Sequence, residues 1–165
     1  MNELELRTAT PADAPRLAEI YNHYILHSTA TFEMSPVTDE EMARRIVDIS
    51  ASFPYFVGLL QGRIVGYCYA HAWNTRAACR GRSLETTVYV DHEVAHLGVG
   101  TALMRHLVSR CRQDGYRALI ANITDRNLPS MAMHEKLGFR MVGHYQEVAE
   151  KMGLVLGTIA YELMI

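Results

Sequence analysis

The chain has 165 residues, a length that favours one domain with a full hydrophobic core. Hydrophobic residues make up 49% and charged residues 21%, close to globular norms, and no apolar run approaches the roughly 20 residues that span a bilayer. A formal net charge of -2 gives no bulk attraction to nucleic acid or to an anionic membrane, and the three cysteines, Cys68, Cys79 and Cys111, lack CxxC spacing, which points to a reducing cytoplasm.

The start, Met1-Asn2-Glu3-Leu4-Glu5, lacks a basic region and an apolar region, so no secretory signal is expected. Residues 4–8 alternate and predict a first strand. Thr10-Pro11-Ala12-Asp13 predicts a helix start, and Leu17, Ile20, Tyr21, Tyr24 and Ile25 form its apolar stripe. Thr38-Asp39-Glu40-Glu41 matches a capping box, and Met42, Ile46 and Ile49 continue that helix. Residues 55–60 and 63–72 predict a hairpin around Gln61-Gly62, and residues 82–90 the next strand. A helix over 98–113 stops at Asp114-Gly115. A strand over 116–123, a short helix over 128–137 closed by Gly138, and strands over 139–148 and 154–165 complete one mixed α/β unit spanning 1–165. Met131, Met133 and Met141 read as adaptable core. His23, His27, His71, His92, His106 and His144 fall into no zinc pattern, and no metal is expected.

Chemistry concentrates where Leu84-Glu85-Thr86-Thr87-Val88-Tyr89-Val90 leads to Gly98-Val99-Gly100-Thr101. A helix start rich in glycine exposes bare backbone N–H groups at the positive end of the helix dipole, which is a seat for phosphate. Strand alternation puts Glu85, Thr87 and Tyr89 on one face, with Leu84, Thr86, Val88 and Val90 on the other. A glutamate inside a strand goes against propensity, as functional positions often do. Glu85 is either a general base or a surface carboxylate paired with Arg76, Arg80 or Arg82. A dinucleotide-binding fold is excluded, because the glycine turn follows the fourth strand and no acidic residue ends a following strand about 20 residues on.

The order β-α-α-β-β-β-α-β-α-β-β, with its Gly-x-Gly turn after the fourth strand, resembles the GNAT superfamily of acyl-CoA N-acetyltransferases over nearly the whole chain. Trp73-Asn74-Thr75-Arg76, Glu85-Thr86-Thr87-Val88-Tyr89-Val90 and Asn127-Leu128-Pro129-Ser130-Met131-Ala132-Met133-His134-Glu135-Lys136-Leu137-Gly138-Phe139 resemble the phosphinothricin and methionine sulfoximine N-acetyltransferases within it. The resemblance implies a single, mostly antiparallel twisted sheet of about seven strands flanked by about four helices. It also implies acetyl-CoA as co-substrate, a small amine such as an amino acid analogue as acceptor, direct transfer, and a homodimer.

By the same resemblance, the pyrophosphate sits on His96, Leu97, Gly98, Val99, Gly100 and Thr101, and the pantetheine arm pairs with Val88, Tyr89 and Val90. Asn127, Ser130 and His134, on one helix face, touch that arm, and His134 is a candidate acid for the departing thiolate. Glu85 becomes the proposed base, and Phe32, Arg76, Glu85 and Tyr89 the acceptor site. Two departures stand out. Ala95 replaces the Gln or Arg usual three residues before the first glycine. Lys151-Met152-Gly153 is followed by Leu154-Val155-Leu156-Gly157-Thr158 where relatives carry an aromatic and acidic run. The alternatives are an acetyltransferase for a different small amine and a non-catalytic CoA-binding or regulatory module.

Overall fold

The computed structural model describes residues 4–165, so the expectation about a leader rests partly on residues outside them. Seven strands form one sheet in the order β1-β2-β3-β4-β5-β7-β6. They are β1 (Glu5–Thr8), β2 (Tyr55–Leu60), β3 (Arg63–Ala72), β4 (Ser83–Val90), β5 (Ala118–Thr124), β6 (Arg140–Lys151) and β7 (Leu154–Met164). Only β4 and β5 run parallel; every other neighbouring pair is antiparallel. Four α-helices flank the sheet: α1 (Ala14–His27), α2 (Asp39–Ser50), α3 (Val99–Gln113) and α4 (Leu128–Lys136).

Side-chain alternation along the strands divides the core in two. Leu17, Ile20, Tyr21 and Ile25 of α1 and Met42 and Ile46 of α2 pack with Tyr55, Val57, Ile64 and Tyr67 on one face. Val99, Leu103, Met104, Leu107 and Cys111 of α3 pack with Cys68, Ala70, Leu84, Leu119 and Ile123 on the other, where Met131 and Met133 of α4 join them. Fully burying each of these large side chains is worth roughly 1.5–3 kcal/mol.

Local chemistry sets the helix starts. Thr38 caps α2 by accepting the Glu41 N–H. The expected reciprocal bond of the box is replaced, because the Glu41 carboxylate turns to Arg44 and Arg45 instead. At Thr10 the helix begins as a 3-10 turn over Pro11–Asp13, and the Asp13 carboxylate returns to the Thr10 N–H at 2.8 Å and to Arg7. The expectations differ from the structure most at β6, which runs to Lys151 rather than ending at 148. Its outer edge has no neighbour in the sheet, its register breaks near Gly143 and Tyr145, and its side chains are mostly exposed, so alternation there is weak. Met141, expected in the core, is 61% exposed for the same reason.

Candidate active site

The site is made by two strands that part. β4 and β5 pair only over Ser83 to Glu85 against Ala118 to Ile120. The Thr86 hydroxyl reaches the Ile120 carbonyl at 3.2 Å, and beyond it the strands separate. The backbone register shows which groups this exposes. Asp91 N–H donates to Val65 at 2.8 Å, and the β3–β4 register is regular from Val90 to Leu84. Antiparallel alternation then turns the N–H and C=O groups of residues 85, 87 and 89 toward β3 and those of residues 86, 88 and 90 toward the opening. Val90 C=O is taken by the Tyr24 hydroxyl at 2.5 Å. Val88 N–H and C=O and Val90 N–H remain available to an extended ligand, as in strand addition.

At one end of this opening lies the glycine turn. Gly98 caps α3 in a left-handed conformation (φ 78°), which a Cβ would strain. Gly100 packs closely: a Cβ there would sit 3.1 Å from the Met133 sulfur, so that side chain would have to shift. Ala102 N–H bonds the Gly98 carbonyl, so the N–H groups of Val99, Gly100 and Thr101 precede the first intrahelical bond. The approach to the turn is braced by Asp91, which sequence reasoning passed over. Burial pushes its carboxyl pKa up, but the Glu93 N–H and the guanidinium of Arg16 outweigh burial and hold it below the ordinary value.

Two cavities meet across β4. The first, about 290 Å³, runs between the strands and is lined by Val88, Val90, Gly98, Gly100, Thr101, Asn127, Ser130 and His134 among others. The second, about 570 Å³, opens on the α1 side, where Tyr21, Thr31, Phe32, Tyr69, Tyr89, Thr124 and Tyr145 contribute to its walls. Glu85 lines both. Burial keeps the phenols around it protonated and pushes Tyr21 up to about 12, so they act as neutral hydrogen-bonding groups at physiological pH. Glu85 itself has no ion pair among the described residues, which removes the surface-pair alternative with Arg76, Arg80 or Arg82.

Most of the residues singled out by sequence converge here. Asn127 caps α4 through its side-chain oxygen, which accepts the Ser130 N–H at 3.3 Å, and this presents its amide at the first cavity. His134 is buried, and its Nδ1 lies 2.8 Å from the Ser130 carbonyl oxygen. Burial lowers its pKa, so the ring is neutral with its proton on Nδ1 and Nε2 left as an acceptor. Phe32, 40% exposed, is a wall of the second cavity rather than core. Three of the expected cofactor residues stand apart from the cavity linings: His96 and Leu97 are exposed ahead of Gly98, and Val99 is buried against the core. Arg76, expected at the acceptor, sits exposed in the β3–β4 connection, where its N–H bonds the Asn74 side chain, and it lines neither cavity. Sequence reasoning missed Tyr24, Tyr69, Asn122 and Thr124. Alternation along β5 placed Asn122 and Thr124 on one face, but nothing in the chain indicated that β5 would leave β4 and open that face.

A splayed parallel pair beside a bare helix start, with a carboxylate at the fork, defines an acyl-CoA-dependent transferase. The sequence matches the family described as "Acetyltransferase (GNAT) domain" over residues 6–155. It is 34% identical over 150 residues to a phosphinothricin N-acetyltransferase of Streptomyces viridochromogenes, covering 91% of this chain and 81% of that protein. It is 31% identical over 153 residues to an L-methionine sulfoximine/L-methionine sulfone acetyltransferase of Pseudomonas aeruginosa, covering 90% and 87%. A crystal structure of a phosphinothricin acetyltransferase from Sinorhizobium meliloti in complex with acetyl-CoA superposes with a TM-score of 0.94 at 35% identity, covering 98% of this chain and 88% of that one. The chain belongs to the GNAT acetyltransferase family and is an acetyl-CoA-dependent N-acetyltransferase. The non-catalytic alternative is thereby set aside. No group of metal-binding side chains occurs among the described residues, and none of their helices is long and apolar enough to cross a membrane.

Proposed function

We propose that this enzyme acetylates the amine of a small, amino-acid-like substrate of the phosphinothricin or methionine sulfoximine kind, by direct transfer within one ternary complex. The observation that carries this reading is the position of Glu85, whose side chain lines both cavities at the fork of β4 and β5. The names of the relatives support the substrate class.

The residues of the first cavity fit acetyl-CoA. The amides of Val99, Gly100 and Thr101 suit a pyrophosphate, with Gly98 giving the approach and Ala95 leaving backbone to do the work. Val88 and Val90 suit the amides of the pantetheine arm, and Asn127 and Ser130 close over it. When bound, the cofactor supplies an acetyl thioester with an electrophilic carbonyl carbon. Glu85 accepts a proton from the substrate ammonium through a water, because an ammonium has no lone pair with which to attack. The freed amine forms the N–C bond as the C–S bond breaks, the β4 N–H groups facing the opening stabilise the developing oxyanion, and the proton that the acylated nitrogen sheds passes to the departing thiolate. Of the two roles open to His134, acid or contact, it enters as a contact to the pantetheine arm. Its one N–H is held by the Ser130 carbonyl, so it has no proton for the thiolate. A thiolate of ordinary pKa, near 8.5, needs no dedicated donor. No side chain in the site is set up as a covalent acetyl carrier.

The exposed apolar edge of β6 supports a homodimer, and the three free thiols, two of them buried, support a reducing, cytoplasmic setting. The deciding experiment is thiol release from acetyl-CoA with an amine panel that includes L-methionine sulfoximine and phosphinothricin, run at several fixed concentrations of each substrate. Intersecting double-reciprocal lines are expected. Parallel lines would replace direct transfer with an acetyl-enzyme, and no release with any amino acid analogue would remove the substrate class.

A further inference from the structure

β6 carries one buried side chain, and it is a lysine. Lys151 is 4% exposed, on a strand whose other residues are largely open to solvent. Lysine is almost never buried to this degree unless a partner holds it. The Lys151 Nζ donates to the Thr31 carbonyl at 2.9 Å, across 120 residues of chain. No carboxylate among the described residues lies within ion-pair distance of it. Burial lowers its pKa, against the opposing pull of Glu33. Glu33 and Glu41 are themselves balanced by Arg45 and Arg44. The net charge behind this loop is therefore that of Lys151.

Ala30, Thr31 and Phe32 line the acceptor cavity, whereas Lys151 lines neither cavity, so the ammonium stands behind the wall. The peptide joining Thr31 to Phe32 is trans, and in a planar trans unit the N–H points opposite to the carbonyl. The Phe32 N–H accordingly points away from Lys151, to the cavity side. Neighbouring N–H groups are held: that of Ala30 by the Ser28 hydroxyl at 3.1 Å, and that of Glu33 by the Thr31 hydroxyl at 3.2 Å. The Phe32 N–H has no such partner among the described residues. An ammonium on the carbonyl polarises the peptide and makes that N–H a stronger donor. Elsewhere in the same cavity stands the Glu85 carboxylate. A zwitterion complements this arrangement, with its ammonium toward Glu85 and its carboxylate toward the loop. Arg76, expected to meet a substrate anion, lines neither cavity.

We propose that Lys151 is a positioning residue of the acceptor site: fixed on the Thr31 carbonyl, it makes the Phe32 N–H and the positive field behind it the seat of the acceptor's α-carboxylate. This rests on the amino-acid-like acceptor and adds the groups that recognise its acid end. The test sets L-methionine sulfone and L-methionine against their carboxamides, which keep amine and tail and lose the charge. Comparing each acid-to-amide ratio between enzyme variants cancels the different amine pKa values. Lys151→Gln still offers the Thr31 carbonyl a neutral N–H. It is expected to lower the acid-to-amide ratio in kcat/KM by about tenfold through the KM of the acid, with kcat and the acetyl-CoA KM within about twofold of wild type. An unchanged ratio overturns the inference, and so does an equal loss with acid and amide, the mark of a loop that has only loosened. A measurement on the wild type depends on no variant's folding. There the des-amino analogue of L-methionine sulfone is expected to compete with the amine at about a tenth of the concentration its own carboxamide needs; equal inhibition constants overturn the inference. Acetylation of the carboxamides but not the acids overturns it while leaving the transferase intact. Absence of acetylation with every amine removes the acceptor class and this inference together.

Discussion

Glu85 illustrates how one side chain acquires a role from where its strand loses a neighbour. Its carboxylate is unpaired and lines both cavities, so replacing it with Gln removes the proposed proton acceptor and little else. Glu85→Gln is expected to lower kcat at pH 7 by about 100-fold or more while calorimetric acetyl-CoA affinity stays as it was; an undiminished kcat/KM across the pH range would retire Glu85 as the base. His134 predicts a pH effect on stability. Burial lowers its folded pKa, so the unfolded chain takes up the proton first as pH falls. Its contribution is therefore full above about 6.5, the ordinary value, and declines as the pH drops below it. Urea midpoints measured at pH 7.5 and 5.5 should fall on acidification in the wild type and fall less in His134→Gln.

At the scale of elements, the turn between β4 and α3 joins two requirements. Gly98 supplies a left-handed N-cap, and Gly98→Ala is expected to cost about 1 kcal/mol of stability and to weaken acetyl-CoA by tilting the free amides. Denaturant titration and calorimetry on the same variant separate the two effects. Asp91, 3% exposed, ties the end of β4 to Arg16 of α1 and Arg63 of β3. Asp91→Ala leaves Arg16 without its buried partner, and a loss of roughly 3 kcal/mol is expected by chemical denaturation. A loss below 1 kcal/mol would mean that the pair is solvated in practice.

Across the whole molecule, β6 is the exception to a well-covered sheet. Val142, 60% exposed, and Tyr145, 63% exposed, stand on an edge strand with Met141 and Val148, and exposed Met152 follows in the turn. Unprotected apolar edges favour pairing with another chain. Sedimentation of the wild type at twice the 18.6 kDa chain mass, and of Val142→Glu at the chain mass, is the expected outcome; a monomeric wild type would remove the dimer. Tyr145 and Val148 belong to this edge and to the acceptor cavity at once, so the dimer variant should also be assayed for its amine KM.

The amino-acid sequence by itself determined the elements, their order, the glycine turn that opens α3 and the side of β4 that Glu85 faces. Each of these is written locally: apolar period 3.6 in α1 and α3, the Gln61-Gly62 hairpin, a glycine at a left-handed cap, alternation along one strand. Tertiary structure alone decided that β4 and β5 part after Glu85, that Arg76 stays outside the cleft, that Thr124 is buried without a partner, and that β6 is bare. The reason is physical. Periodicity records which face of an element is apolar, whereas the separation of two strands and the fate of a buried hydroxyl depend on contacts between residues far apart in the chain.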